Sequence, residues 1–462
     1  MSPSPAGSGT GLLEALYQGE ASIQVAGQHL SGDRLAGAVG AVAASVGRSA
    51  GRVAVIARPE LGTLVAVAGI LAAGATVVPI SPAAGPGERD HVIDQAQVDL
   101  VLPDVDLRAA DSLPPEPPVD ESPALILFTS GSTGPAKGAV ISRRAVAGNL
   151  EALRAAWDWT SADVLAHALP FSHVHGLVFG GLGPLRIGSP LVHTGRYLTP
   201  VPEASLYFGV PALWASMRAG DLRRLSSARL LVSGADTLPT AVFDRVLAQA
   251  GHRILNRYAM TETLVIASPR IGDPRSPRSV GPPLPGVQVR LAELDPDPDP
   301  DPGVRPRRGP DQPPGEVQVR GAGLFSGYTG MGPALDDDGW FATGDVGEWL
   351  PDGSLRLIGR RHADLIKSGG YRVGAGEVEE ALLAYPGIAE AAVTGVPDRR
   401  LGQRVGAWVV TTTALDRRDL AEFLASRLTA YKLPQELHEV DALPRNGLGK
   451  IQKRLLRPEG RP

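Results

Sequence analysis

Residues 125–138 read LILFTSGSTGPAKG, an apolar run that gives way to hydroxyls, glycines and a single lysine. Glycines let backbone N–H groups come close to an oxyanion. The hydroxyls of Thr129, Ser130, Ser132 and Thr133 can donate to phosphate, Lys137 adds a positive charge, and Gly131 and Gly134 keep the loop open. The segment therefore reads as a phosphate-binding loop fed by a buried strand. It is not a Walker A loop, which would require Gly at Ala136 and Ser or Thr at Gly138. Other chemistry-bearing stretches follow: PFSHVHGL at 170–177, VSGADTLP at 232–239, YAMTET at 258–263, TGD at 343–345, GRRHADLIKSGG at 359–370 and NGLGK at 446–450. Taken singly each has a bland reading. An Asp in a TGD turn is usually a cap, a late lysine a solvated charge, and a lone histidine a core or turn residue.

These stretches need a scaffold, and the chain supplies an α/β one. Residues 53–82 read as a short apolar strand, an Ala-rich helix and a second strand, a βαβ unit. Strand-like runs recur at 99–102, 124–129 and 229–232, which favours a large N-terminal domain of mostly parallel sheets with helices. After Gly359 the pattern changes to helix at 377–384, strands at 391–394 and 405–410, and a helix from an Asp416 N-cap to Leu428. That predicts a small α+β C-terminal domain, with boundaries of 1–359 and 360–462. The Pro-rich stretches 114–118 and 295–314 read as loops, the second as a mobile surface insertion.

Composition narrows the class. The 462 residues are 43% hydrophobic and 20% charged, with a formal charge of -4 and no cysteine. Disulfides, thiolate metal sites and a cysteine nucleophile are thereby excluded. The weak charge and scattered arginines argue against a nucleic-acid or membrane partner. The N-terminus lacks a signal-like apolar stretch and no span-length apolar run occurs, so a cytoplasmic protein is expected.

The phosphate loop, YAMTET, TGD, GRRHADLIKSGG and NGLGK together, in that order and spacing, resemble the adenylate-forming superfamily of acyl-CoA synthetases, peptide-synthetase adenylation domains and luciferases. The resemblance implies ATP-dependent activation of a carboxylic acid as its acyl-AMP, then transfer to a thiol, coenzyme A or a carrier. It implies that Tyr258 stacks on adenine beside Ala235 and Asp236, that Glu262 holds Mg²⁺ next to Thr261, and that Asp345 binds the ribose hydroxyls with Arg360 nearby. Lys450 would bridge the acid and the α-phosphate. The resemblance also implies that the small C-terminal domain is mobile, and that Ser368, Gly369 and Gly370 line the pantetheine tunnel once it rotates.

Among these families the nearest resemblance is to malonyl-CoA synthetases, in HVHGL, RYAMTETL and SGGYRVGAGEVE. It implies an acid pocket that includes His175, Ser205, Arg257, Ala259 and Val265, with Arg257 and His175 on a second carboxylate. The family's serine after the strand-end Ser-Gly is here Ala235, and Ala259 and Val265 make the wall more apolar. Malonate, a 2-substituted malonate, another small diacid, an aryl acid, or nitrite in a diazotising reaction all remain open at this stage. A non-catalytic nucleotide-binding protein of the same fold would not need Lys450.

Overall fold

Strands that are buried on both faces read as unbroken apolar runs, and the βαβ segment predicted at 53–82 is of this kind. In the computed structural model, strands Arg52–Ile56 and Thr76–Ile80 pair in parallel around helix Leu61–Ala72, nearly every residue of which is buried. Gly69 makes this packing possible, since a Cβ there would lie 2.4 Å from Cγ1 of Val42 on helix Gly32–Val46. The structure describes residues 11–47, 51–129, 136–294, 314–331, 334–361, 365–368, 371–398, 400–445 and 451–456. The 295–314 insertion lies almost wholly outside these residues.

The chain divides into two units. The first comprises residues 1–238, 242–288 and 319–341, and the second residues 239–241, 289–318 and 342–462. In the first, a six-stranded sheet has the order Gly327–Tyr328, Lys137–Ser142, Pro123–Thr129, Thr76–Ile80, Arg52–Ile56, Leu100–Val101. A seven-stranded sheet has the order Leu255–Asn256, Leu230–Ser233, Leu206–Gly209, Leu165–His167, Leu191–His193, Ser22–Val25, Gln28–Ser31. All but the last of its strands run in parallel, so their C-terminal ends line up on one edge. Such an edge is where open α/β sheets bind ligands. The 114–118 stretch is irregular, as expected, yet well anchored: Tyr17 donates to the Pro114 carbonyl at 3.0 Å and Leu13 N–H to Glu116 Oε1 at 2.7 Å.

In the second unit, strands Phe341–Trp349 and Leu355–Arg360 belong to a four-stranded sheet. A five-stranded sheet built on Ile388–Asp398 and Gly402–Thr411 carries helices Ala375–Leu383 and Arg417–Ala425. Val378, Leu382, Leu420 and Leu424 pack there with Val393, Val405 and Val409. Asp416 caps the second helix as predicted, accepting from the N–H groups of Arg418 and Asp419. The architecture is thus α/β, with largely parallel sheets and a smaller α+β part. Among the described residues no helix is long and apolar enough to cross a membrane.

Candidate active site

The phosphate-loop sequence sits in a hairpin. Strands Pro123–Thr129 and Lys137–Ser142 pair antiparallel with Thr129 opposite Lys137, so the intervening loop leaves and returns at adjacent positions. Ser130, Gly131, Ser132, Thr133 and Gly134 lie outside the described residues. Strand Gly327–Tyr328 then adds to the lysine strand, with Thr329 N–H donating to the Gly138 carbonyl at 2.8 Å. Gly138 permits this approach: a Cβ there would stand 3.0 Å from Thr329 Cγ2 and 2.8 Å from Ile126 Cγ2. The pairing brings the Tyr328 ring under Lys137, whose Nζ is 5.4 Å from the ring centroid.

The Tyr328 hydroxyl donates to Glu262 Oε1 at 2.9 Å, and Phe325 N–H donates to the Glu262 carbonyl at 2.8 Å. Glu262 is buried and Thr261 beside it is half-buried. Among the described residues no three or more His, Cys, Asp or Glu side chains converge on a metal position. A single hard carboxylate suits Mg²⁺, which binds through one or two carboxylates and the phosphates of its nucleotide. Tyr258 lies in the hairpin Tyr258–Met260/Leu264–Ala267, buried, with its hydroxyl 3.7 Å from Met260 Sδ.

A second cluster sits at the C-terminal edge of the seven-stranded sheet. Arg257 follows strand Leu255–Asn256 and its N–H donates to the Ser233 carbonyl at 3.0 Å. Its guanidinium lies over Gly234, where a Cβ would be 2.5 Å from Cζ, and 5.3 Å from the Phe179 ring centroid. Arg257 is 4% exposed, yet Nε and Nη2 are buried without a hydrogen-bond partner. Burial lowers its pKa to about 9.

His175 opens the π-helical stretch His175–Leu182, an irregularity common at functional sites. Its ring stacks on Phe208 at 5.9 Å and meets Phe179 at 6.2 Å. Its Nδ1 is buried and unpartnered, and burial first, then Arg257 and His167, hold its pKa well below the ordinary histidine range. The result is a buried cation beside a neutral imidazole, both with open donor or acceptor positions between aromatic rings. An anionic ligand group is the natural complement, because an unpaired buried charge is costly.

Other predicted residues are placed less centrally. Ala259 pairs with Val265, and Asn149 clamps the Val265 backbone by bonds of 2.9 and 3.2 Å. Val265 is fully buried in the main core. Ala235 and Asp236 are exposed just past strand Leu230–Ser233, and Ala235 has φ +70°, unusual for a residue with a Cβ. Ser205 is the exception to the proposed grouping. It precedes strand Leu206–Gly209, at the end opposite the ligand edge, and donates to Asp163 Oδ1 at 2.7 Å. Arg229 completes that ion pair at 2.7 Å, so Ser205 serves a structural network and not the acid pocket.

In the second unit, Asp345 and Arg360 pair across strands and form an ion pair at 2.9 Å. Arg360 also donates to the Thr343 carbonyl at 3.1 Å, and Asp345 N–H donates to Thr343 Oγ1 at 3.1 Å. Ser368 is buried in strand Leu365–Ser368, opposite Tyr371 and Gly402. Gly369, Gly370 and Lys450 lie outside the described residues. Sequence reasoning passed over Tyr328, Phe179, Phe208 and His167; only the aromatic residue after Gly327 in FSGY could have drawn attention.

Comparison with known proteins gives the family. Residues 103–329 match the AMP-binding enzyme family and residues 377–450 the AMP-binding enzyme C-terminal domain. The mitochondrial malonate–CoA ligase of Mus musculus is 35% identical over 394 residues, covering 75% of this chain and 67% of its own. That of Homo sapiens is 35% identical over 389 residues, with 74% and 67% covered. A solved malonyl-CoA ligase with methylmalonyl-CoA and AMP bound is 40% identical, with a TM-score of 0.68 and 96% and 99% of the chains covered. ATP-bound MatB from Rhodopseudomonas palustris is 29% identical, with a TM-score of 0.82 and coverage of 97% and 98%. This chain belongs to the AMP-binding enzyme family. It is an AMP-forming acyl-CoA synthetase, which makes an acyl adenylate from ATP and an acid and passes the acyl group to coenzyme A.

Proposed function

We propose that the acid is a small dicarboxylate of the malonate or 2-substituted malonate class. The observation that carries this reading is Arg257, a buried guanidinium with two unpartnered nitrogen atoms beside His175. One carboxylate of the diacid pairs with Arg257 and accepts a hydrogen bond from the N–H of neutral His175, while the other attacks the α-phosphorus. The methylmalonyl-CoA of the 40% identical structure supports a 2-substituted malonate as readily as malonate itself. The missing serine at Ala235 leaves the distal carboxylate dependent on Arg257 and His175.

Attack of a carboxylate on a polyphosphate is opposed by like charge, so the site must neutralise both partners. Lys137 and the loop hydroxyls bind phosphate oxygens, and Lys450 bridges the attacking carboxylate and the α-phosphate. Tyr258 stacks on adenine, and Asp345 and Arg360 hold the ribose. Bound Mg²⁺ would supply charge neutralisation at the phosphates, held by Glu262 next to Thr261. A C-terminal domain hinged near Arg360 exchanges Lys450 for the segment at Ser368, Gly369 and Gly370 between half-reactions and keeps water from the acyl-AMP. Lys450→Ala is expected to abolish pyrophosphate release while sparing thioester formation from supplied malonyl-AMP. Equal loss in both half-reactions contradicts the domain exchange. Silence toward diacids with turnover of aryl acids or nitrite contradicts the substrate assignment.

A further inference from the structure

Three segments far apart in sequence converge on one side chain that none of the motifs includes. The Tyr328 hydroxyl donates to Glu262 Oε1 at 2.9 Å, and its ring carries Lys137 Nζ at 5.4 Å. The contact is built and not incidental. Tyr328 is held opposite Ala139 in a strand pair, with Ser326 N–H on the Val140 carbonyl and Thr329 N–H on the Gly138 carbonyl, each at 2.8 Å. Phe325 packs edge-on against the Tyr328 ring at 4.9 Å and against Phe341 at 5.2 Å, fixing the segment from the other side.

We infer that Tyr328 is a positioning residue of the nucleotide site, orienting the Glu262 carboxylate through its hydroxyl and Lys137 through its ring. The inference rests on the reading above, in which Glu262 faces Mg²⁺ and Lys137 the phosphates. A carboxylate with one oxygen held by a phenol presents the other in a defined direction, and partners of this kind tune how tightly a metal is held. The ring acts separately, because a cation over an aromatic face is attracted without a hydrogen bond and keeps its donors for phosphate.

The two contacts can be separated by substitution. ATP binding to the intact enzyme, without acid or coenzyme A, is measured by calorimetry in excess Mg²⁺ and in chelator. Tyr328→Phe keeps the ring and loses the hydroxyl; the affinity gained on adding Mg²⁺ should shrink about 10-fold, with the Mg²⁺-free affinity unchanged. Tyr328→Leu should also weaken Mg²⁺-free binding. Glu262→Gln serves as the reference and should lose the Mg²⁺-dependent gain. If Glu262→Gln loses that gain and Tyr328→Phe retains it, the positioning role of the hydroxyl is overturned. If Tyr328→Leu binds Mg²⁺-free ATP as the wild type does, the role of the ring is overturned. If Glu262→Gln keeps the gain, Glu262 is not the metal-facing carboxylate and the reading on which the inference rests falls with it.

Discussion

Replacing Arg257 with methionine should make the enzyme more stable and far less active, and the opposite signs are what make the experiment informative. The guanidinium is 4% exposed and lacks partners at Nε and Nη2, so the free enzyme holds a largely uncompensated buried charge. Burial brings its pKa well below the ordinary arginine range, to about 9. At about 1.36 kcal/mol per pH unit this is on the order of 5 kcal/mol against the charged form. The folded chain releases that proton before the unfolded chain does, so the penalty fades only as pH rises above about 9 toward the ordinary arginine range and is fully present at pH 7. Structural relaxation recovers part of it; replacing even a paired buried charge by apolar side chains of similar volume is often neutral or gains about 1–4 kcal/mol, and among the described residues Arg257 has no ion pair to lose.

Urea unfolding of the free enzyme at pH 7 should therefore give a higher midpoint for Arg257→Met at unchanged slope. For the diacid the effect reverses, because its distal carboxylate would then be buried with no cation to pair with and only neutral His175 beside it. A loss of about 3–5 kcal/mol in transition-state binding is expected, or about two to three and a half powers of ten in kcat/KM. Added malonate should no longer raise the urea midpoint. A variant that is destabilised, or that keeps its diacid kcat/KM, refutes the assignment of Arg257 as an unpaired cation awaiting substrate.

Two further predictions follow from the same geometry. His167 and His175 are held well below the ordinary histidine pKa, mainly by burial and then by His193 and Arg257 respectively. Their depressed folded values mean stability is complete above about pH 6.5 and declines as pH falls below it, by at most about 1.36 kcal/mol per pH unit for each histidine. The urea midpoint measured from pH 7 to 5 should track this, and His167→Gln should flatten the slope by one proton's share; an unchanged slope refutes it. Asp345→Asn should raise KM for ATP about 10-fold or more, and the penalty should vanish with 2′,3′-dideoxy-ATP. Loss of the Asp345–Arg360 pair alone, with the Arg360 side chain 47% exposed, would contribute about 1 kcal/mol or less and would not distinguish the two nucleotides.

What could be read before the structure follows from which signals are local. The βαβ unit at 53–82 and the Asp416 cap are written in adjacent residues, as apolar runs and a side chain reaching two or three residues ahead. The strands that carry Asp345 and Arg360 were not apparent, because Phe341–Trp349 and Leu355–Arg360 are only partly buried and mix glycine and charge with apolar residues. Ser205 shows the limit for site residues. A serine beside a strand can stand at either end, and only the parallel register places Ser205 with Asp163 at the end away from Arg257. Tyr328 meets Glu262 across 66 residues of sequence, and Phe179 and Phe208 meet His175 through packing that no spacing encodes.

The most direct measurement compares methylmalonate with isobutyrate, which has the same branched skeleton but a methyl group where the second carboxylate would sit. With ATP, Mg²⁺ and coenzyme A, a pocket built around Arg257 and His175 should favour methylmalonate in kcat/KM by about 10³-fold or more, since a site made to pair a polar group rejects the analogue that lacks it. A ratio near one, or a preference for isobutyrate, would contradict the dicarboxylate assignment.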